Sequence, residues 1–519
     1  MWSLIDQLAQ QGVTDFFFSS GSRSTPLVLA AAAHPKAKIH THLDERAMAF
    51  FAYGCARAKE APVAIIVTSG TAAGNLLPAI MEAHNSSVPL IVLTADRPPE
   101  LREAGANQAT DQVKMFQNFT RWQYEFDPNM PEQAIRSHAV QAVFQAISKN
   151  GPVHLNVPLR EPFALEFPTV QGAPLQLEIG EKICFKERPL PPRGLILIGR
   201  LPKRSDLAPI LDLAKQLQWP VFGDIFSNAR LTPTPEQIRR FEWILPQAPK
   251  PACILHFGER FVSKRLLEWL PKTQYIHISP FHHWYDPTNL VTERIESSRV
   301  PRFTAATDPA WLRAWRQLDS AAEEHLANAL AEAPFTESKV LHHLSSLDWQ
   351  AIFLGTSMPV REGDWFLFPK KATAFYSNRG QSGIDGNIAT AVGLAEGLQS
   401  PLLAIIGDLT ALHDLNSLAL VAQSRHPITL VISNNGGGGI FSHLPISKHP
   451  RYEELIAFQH DTQFKEAAAM FKLPYFHLED LNWPKHKGSC IIEVTNDRAQ
   501  NAAFHKQLRE QCTYSFTAS

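Results

Sequence analysis

The sequence predicts an α/β protein built from three consecutive doubly wound parallel-sheet domains. Short runs rich in Val, Ile and Leu recur along the 519-residue chain, each followed by a stretch of helical spacing. Such fully apolar strands suit a sheet covered by helices on both faces. The runs fall into three groups of similar size, with expected domain spans 1–165, 190–330 and 335–519, in line with ~100–200 residues per domain. Between the first two groups, residues 160–193 carry six prolines (Pro162, Pro168, Pro174, Pro189, Pro191 and Pro192) and read as a linker.

Composition narrows the function classes. Hydrophobic residues make up 45% and charged residues 19%, the balance of a globular enzyme rather than a disordered chain. A net charge of −1 gives no electrostatic case for nucleic acid. No apolar run reaches the ~18 residues of a membrane span, and the chain begins in a helical pattern with no signal peptide. Cys55, Cys184, Cys253, Cys490 and Cys512 are scattered without a CxxC pair, as expected of reduced thiols in a cytoplasmic protein.

In order, strands are expected at Asp15–Ser20, Lys38–Leu43, Pro62–Ser69, Pro89–Asp96 and Pro152–Leu159, with a helix near Pro131–Lys149. Ser24 or Thr25 can cap the helix after the first strand, with Pro26 in its first turn. Asp44-Glu45-Arg46 opens a long helix and Gly70-Thr71 another. The second group has strands at Gly194–Ile198, Pro220–Gly223, Ala252–Phe257 and Gln274–Ser279, and a long helix from Asp308 to Ala333 leads out of it. The third group ends in strand Cys490–Val494 and a terminal helix.

The most informative stretch is residues 401–441, PLLAIIGDLTALHDLNSLALVAQSRHPITLVISNNGGGGIF. It reads as a βαβ unit whose helix places Leu412, Leu415, Leu418, Ala419 and Ala422 on one face. Asp408 and Asn435 fall just past the two strands, where open α/β sheets bind ligands. A carboxylate, an amide oxygen and a backbone carbonyl, joined by phosphate oxygens, suit the octahedral shell of Mg²⁺. No P-loop motif occurs, and the glycines at 436–439 do not complete G-x-G-x-x-G. Gly407-Asp408 followed after 27 residues by Asn435 resembles the diphosphate-anchoring motif of thiamine-diphosphate enzymes.

That cofactor also needs a carboxyl beside its ring nitrogen N1′. Glu45, in THLDERAMAFFAYG, stands at a strand-to-helix junction where an apolar helix offers a dry setting that would raise its pKa. By the residues alone, Glu45 also fits a solvated first-turn glutamate favoured by the helix dipole. Asp44 is either a rival carboxyl or the helix cap.

SGSRSTPL, THLDERA, VTSGTAAGNL, TADRPPEL, GANQAT, SNRGQSGIDG and GDLTALHDLN…NNGGGGIF occur in this order. Together they resemble the 2-succinyl-5-enolpyruvyl-6-hydroxy-3-cyclohexene-1-carboxylate synthase family of menaquinone biosynthesis, strongly in the first and third groups. In the middle only FGERFVSKRLL is similar. The resemblance implies a pyrimidine-binding, a central and a diphosphate-binding domain in the thiamine-diphosphate-binding fold. It implies thiamine diphosphate with Mg²⁺, or Mn²⁺ in its place, and a decarboxylating carboligation of 2-oxoglutarate with isochorismate by a homodimer or homotetramer. It further implies that the Gly437 carbonyl is a third metal ligand beside Asp408 and Asn435. Ile384 then resembles the apolar wedge between the cofactor rings, though by the residues alone it equally fits an ordinary core isoleucine. Ile440 and Phe441, which follow the metal loop, are candidates to line the thiazolium pocket, and Gly438 is a further cofactor-binding candidate. The metal loop SNNGGGG departs from relatives, which often place a third polar residue there, and spacing favours Asn435 over Asn434. The alternative within the fold is a 2-oxoacid decarboxylase or an acetolactate-synthase-like enzyme.

Two dicarboxylate substrates call for arginine forks. Arg23, Arg97, Arg361 and Arg379 are expected in loops just past strands, with Ser22, Gln108 and Ser357 nearby. Lys264 and Arg265 would come from the middle domain. His42, His413 and His443 receive no role.

Overall fold

The computed structural model describes residues 1–515 except 128, 164–165, 168–171, 173–174, 176, 178, 180–182, 184–185, 282 and 370–373. Pro168, Pro174 and Cys184 therefore lie outside the described residues. The first unit runs α1 (Trp2–Gln10), β1 (Asp15–Phe18), α2 (Thr25–Ala33), β2 (Lys38–Thr41), α3 (Glu45–Lys59), β3 (Val63–Val67), α4 (Thr71–Gly74), α5 (Leu77–Asn85), β4 (Leu90–Asp96), β5 (Trp122–Glu125), α6 (Glu132–Ser148) and β6 (Val153–Pro158). Its strands lie in the order β2-β1-β3-β4-β6-β5, all parallel. The expected apolar runs become the inner strands: every residue of β3 and β4 is buried, because helices cover both faces.

The middle unit holds β7 (Arg188–Leu190), β8 (Gly194–Ile198), α7 (Leu207–Leu217), β9 (Val221–Gly223), α8 (Phe241–Ile244), β10 (Cys253–Phe257), α9 (Lys264–Trp269), β11 (Gln274–Ile278), β12 (Glu293–Ile295) and β13 (Phe303–Ala305). Five strands form the parallel sheet β12-β11-β10-β8-β9, and β13 pairs with β7 apart from it. The long helix α10 (Pro309–Glu332), capped by Asp308, leads out.

The third unit is α11 (Glu337–Leu344), β14 (Ala351–Leu354), α12 (Met358–Phe366), β15 (Ala374–Tyr376), α13 (Asn387–Leu398), β16 (Leu402–Gly407), α14 (Asp408–His413), α15 (Leu418–Gln423), β17 (Ile428–Asn434), α16 (Tyr452–Leu455), α17 (Lys465–Met470), β18 (Tyr475–Leu478), β19 (Cys490–Thr495) and α18 (Arg498–Ser515). Its strand order, β15-β14-β16-β17-β19-β18, repeats that of the first sheet. In both sheets the direction of winding reverses between the first and third strands, which opens a crevice at their carboxyl ends. Among the described residues no helix is long and apolar enough to cross a membrane.

The structure corrects several sequence expectations. Strand β5 is absent from the sequence reading because WQYE is half-buried at a sheet edge and shows no apolar run. Ser24 precedes α2 but makes no side-chain cap; its hydroxyl donates to the Gly21 carbonyl. The helix after Gly70 is split into α4 and α5. The segment after Gly407 is not one amphipathic helix. Asp414 turns inward to take the Ile388 and Ala389 N–H groups and the Ser417 hydroxyl, and the chain passes through a 3-10 turn at Leu415–Ser417. Leu418, Leu420 and Val421 are buried, Leu412, Leu415 and Ala419 are half-buried, and Ala422 is exposed. Arg361 lies on α12 rather than in a loop.

The first and third units share one apolar core, joined by α3 against α13. Their backbones touch. A Cβ on Gly54 would stand 2.2 Å from the Thr390 carbonyl oxygen, and one on Gly393 would stand 2.0 Å from that of Phe51. Backbone atoms of packed helices cannot yield as a flexible side chain can. Gly393→Val is therefore expected to lower the thermal midpoint, by the equivalent of about 1–3 kcal/mol or more. Gly74→Ala, where a Cβ would meet nothing within 4 Å, should leave it unchanged. Equal midpoints for the two variants would refute the backbone contact.

Candidate functional site

A cavity of about 330 Å³ opens at the crevice of the third sheet. It lies past the carboxyl ends of β14, β16 and β17, whose following residues, Thr356-Ser357, Asp408 and Asn435, line it. Asp408 is 2% exposed and is held rigidly: Oδ1 accepts the Leu409 N–H at 2.6 Å, and Oδ2 accepts those of Asn435 and Gly437 at 3.0 Å each. Burial raises its pKa. His460 Nε2 stands 3.4 Å from Oδ2. The Asn435 amide is turned by Glu337, whose Oε1 accepts from Asn435 Nδ2 at 3.2 Å and from the Ser433 hydroxyl at 2.5 Å. That leaves Asn435 Oδ1 buried without a partner.

This donor set fits a divalent cation with a phosphate group behind it. Buried polar atoms are normally paired, and an orphaned amide oxygen beside a carboxylate is the arrangement that a hard cation completes. Gly437 has φ +145°, and a Cβ there would meet the Ala457 carbonyl at 2.5 Å, so only glycine keeps the loop in place. The Gly437 carbonyl accepts the Gly439 N–H at 3.0 Å, and its second lone pair is left for a ligand. A Cβ on Gly407, which lines the cavity, would meet nothing within 4 Å. Asn434 points away: its amide donates to Glu493 and to the Thr462 carbonyl.

Ile384, Gly438, Ile440 and Phe441 line the same cavity, as do Ser357, Arg361 and Arg379. Ser357 adopts φ +70° at the turn into α12, and the Arg361 guanidinium donates to its carbonyl. Arg379 is pushed down to about 10 by burial and by the charges of Arg260 and Arg361. A rim carrying two arginines this close together favours an anion. Glu337, Thr356, Ser382 and Thr410 also line the cavity and were not singled out by the sequence. Glu337 is a first-turn glutamate of α11; burial and the Glu362 charge push it up to about 8.

The remaining sequence candidates stand elsewhere in the chain. Arg23 and Arg97 flank the crevice of the first sheet, each 8% exposed. Arg23 donates to the Leu159 carbonyl at 2.5 Å and Arg97 to the Ser69 hydroxyl. Burial and the Arg23 charge lower the Arg97 pKa. Ser22 and Gln108 are exposed. Lys264 and Arg265 open α9 in the middle unit; Lys264 is exposed and pairs with Glu268, while Arg265 lies 4.0 Å from Glu242. Glu45 is half-buried at the first position of α3, and Asp44 is the cap, accepting from the Arg46 and Ala47 N–H groups. Arg46 reaches His413, at the end of α14 opposite Asp408. None of these first- and middle-unit residues lines the Asp408 cavity.

Three family models match successive parts of the chain. Residues 2–115 match "Thiamine pyrophosphate enzyme, N-terminal TPP binding domain", residues 188–354 match "Middle domain of thiamine pyrophosphate", and residues 365–482 match "Thiamine pyrophosphate enzyme, C-terminal TPP binding domain". Fold and cavity thus define a thiamine-diphosphate-dependent enzyme. Relatives named 2-succinyl-5-enolpyruvyl-6-hydroxy-3-cyclohexene-1-carboxylate synthase match nearly the whole chain. The one from Bacillus velezensis is 37% identical over 98% of this chain and 96% of its own. That from Rubrobacter xylanophilus is 36% identical over 97% and 96%, and that from Listeria innocua 34% over 99% and 97%. The chain belongs to the 2-succinyl-5-enolpyruvyl-6-hydroxy-3-cyclohexene-1-carboxylate synthase family.

The loop that carries Ile384 runs into α13, whose first N–H groups are held by Asp414. Burial pushes the Asp414 carboxyl up to about 6. The folded chain therefore binds this proton more tightly than the unfolded chain, and the stability involved is full below pH ~4 and lost as pH rises through ~6. Relative to Asp414→Asn, the wild type should lose on the order of 2 kcal/mol between pH 4 and 7. Parallel stability–pH curves for the two proteins would contradict this.

Proposed function

We propose that the protein joins the succinyl-semialdehyde unit of 2-oxoglutarate to isochorismate, with loss of CO₂, to give 2-succinyl-5-enolpyruvyl-6-hydroxy-3-cyclohexene-1-carboxylate in menaquinone biosynthesis. The observation that carries the reading is the arginine-rimmed cavity with Asp408 and Asn435 on its floor, in a chain related over nearly its whole length to synthases of that name. Enzymes of this fold that act on monocarboxylates do not need such a rim. Incubation with both substrates, thiamine diphosphate and Mg²⁺, followed by mass spectrometry of the product, tests it: absence of the named product would refute it.

Asp408, Asn435 Oδ1 and the Gly437 carbonyl would hold Mg²⁺, with Mn²⁺ as a substitute, and the cation would hold the diphosphate. Without a cation, a diphosphate here would face the Asp408 carboxylate in a site of low dielectric. Ile384, Ile440 and Phe441 would pack against the rings. Bound thiamine diphosphate supplies the electron sink on which a 2-oxoacid loses CO₂. Glu45 would hold a proton at ring nitrogen N1′. Arg361 and Arg379 would orient substrate carboxylates, with Ser357 beside them and Arg23, Arg97, Ser22, Gln108, Lys264 and Arg265 closing over the mouth. These forks act where water is excluded, which strengthens each contact. Free, buried Cys55, Cys253, Cys490 and Cys512 support a cytoplasmic setting.

Within one chain Glu45 does not line the Asp408 cavity, so the site is completed by a second copy. Leu43, two residues before Glu45, is 75% exposed, and Leu444, Leu455 and Phe458 near the metal loop are exposed too. A closed two-fold dimer, or a pair of dimers, would cover these and hold two equivalent sites.

Asp408→Ala should abolish Mg²⁺-dependent affinity for thiamine diphosphate; a titration unchanged with and without Mg²⁺ would reject the metal set. Glu45→Gln should keep the cofactor but lose most turnover, because an amide cannot share the proton. Mixing the two inactive proteins under verified subunit exchange should restore activity, since a heterodimer holds one intact site. No recovery would rule out the shared site.

A further inference from the structure

Glu82 lies on α5 of the first unit and is 2% exposed, yet its carboxylate serves the third unit. Oε1 accepts the Gly380 N–H at 2.7 Å, and Oε2 accepts the Gln381 N–H at 2.6 Å. The Tyr53 hydroxyl, buried on α3, donates to Oε1 at 3.1 Å. The same short loop is gripped on its other side: Arg57 donates to the Ser377 carbonyl, and Arg260 donates to the Arg379 carbonyl at 3.2 Å. Arg379 sits between these anchors and lines the Asp408 cavity. Among the described residues its guanidinium makes no hydrogen bond. Its place at the rim is set by the backbone on either side of it.

A buried carboxylate needs strong partners, and two backbone N–H groups aimed at its two oxygens supply charge-assisted bonds of fixed direction. They bind the conformation of the loop rather than a side chain. We propose that Glu82 is a positioning residue: by holding the Gly380 and Gln381 N–H groups, it fixes Arg379 at the mouth of the site. The inference rests on the reading of Arg379 as a substrate-carboxylate ligand.

Glu82→Gln in the full-length protein tests it. The amide keeps the size of the side chain but presents an N–H where one loop N–H must be accepted. In the ligand-free protein, hydrogen exchange at Gly380 and Gln381 should speed up by roughly tenfold or more. With cofactor and both substrates, kcat/KM should fall roughly 10- to 100-fold, mainly through the KM of the one substrate whose KM also rises in Arg379→Ala. A residue that merely glues the two units would lower the thermal midpoint and leave loop exchange and KM as they are; that outcome overturns the proposal. Gly380→Ala approaches the same contact from the loop, because its Cβ would stand 2.4 Å from the Glu82 carbonyl oxygen. It carries the test if Glu82→Gln does not fold. The double variant should be no worse than the more impaired single one, since both break one contact; additive losses count against the clamp. If Arg379→Ala leaves both KM values unchanged, the substrate reading fails and the proposal with it, while the exchange measurement still reports whether Glu82 holds the loop.

Discussion

The contact between α3 and α13 is the constraint on which the rest of the molecule depends. Where Gly54 and Gly393 bring two helix backbones together, the first and third sheets are locked into one core. That core fixes the side chains that cross between the units: Arg57 on α3 and Glu82 on α5 both reach the loop before α13, and Tyr53 on α3 steadies Glu82. The third-unit crevice therefore takes its shape partly from first-unit residues that line no part of the Asp408 cavity.

Electrostatics divides the cavity into two zones. The floor gathers carboxyls in a dry setting, where Glu337 and Asp408 are both raised by burial. The rim gathers arginines, with Arg361 and Arg379 lowered by burial. Each zone is costly by itself, because like charges are taken out of water together. The floor suits a cation and the rim suits anions. In the proposed function, a metal-bound diphosphate beneath carboxylate substrates would relieve both, which would tie the stability of the site to its occupancy.

Much of this was legible in the sequence. The apolar runs of β3, β4, β16 and β17 suited covered parallel strands, and all four are central in their sheets. The Gly407-Asp408 and Asn435 pair followed from strand ends at a set spacing, and its two members do share one cavity wall. Asp44 as the cap of α3 was one of two alternatives, which the Arg46 and Ala47 N–H groups decide. Other features left no trace in local pattern. Strand β5 is half-polar, the 3-10 turn after α14 is imposed by the inward Asp414, and Glu337 and Glu82 are ordinary helix glutamates until their neighbours are known.

The sequence by itself determined the apolar inner strands, their covered faces and the residue types at their ends, because hydrophobic periodicity and turn chemistry act over a few residues. Tertiary structure alone decided which carboxyls are buried, which way the Asn435 amide turns, and that Glu82 holds a loop 298 residues away. Burial, amide orientation and charge coupling are set by atoms distant along the chain, and no local window contains them.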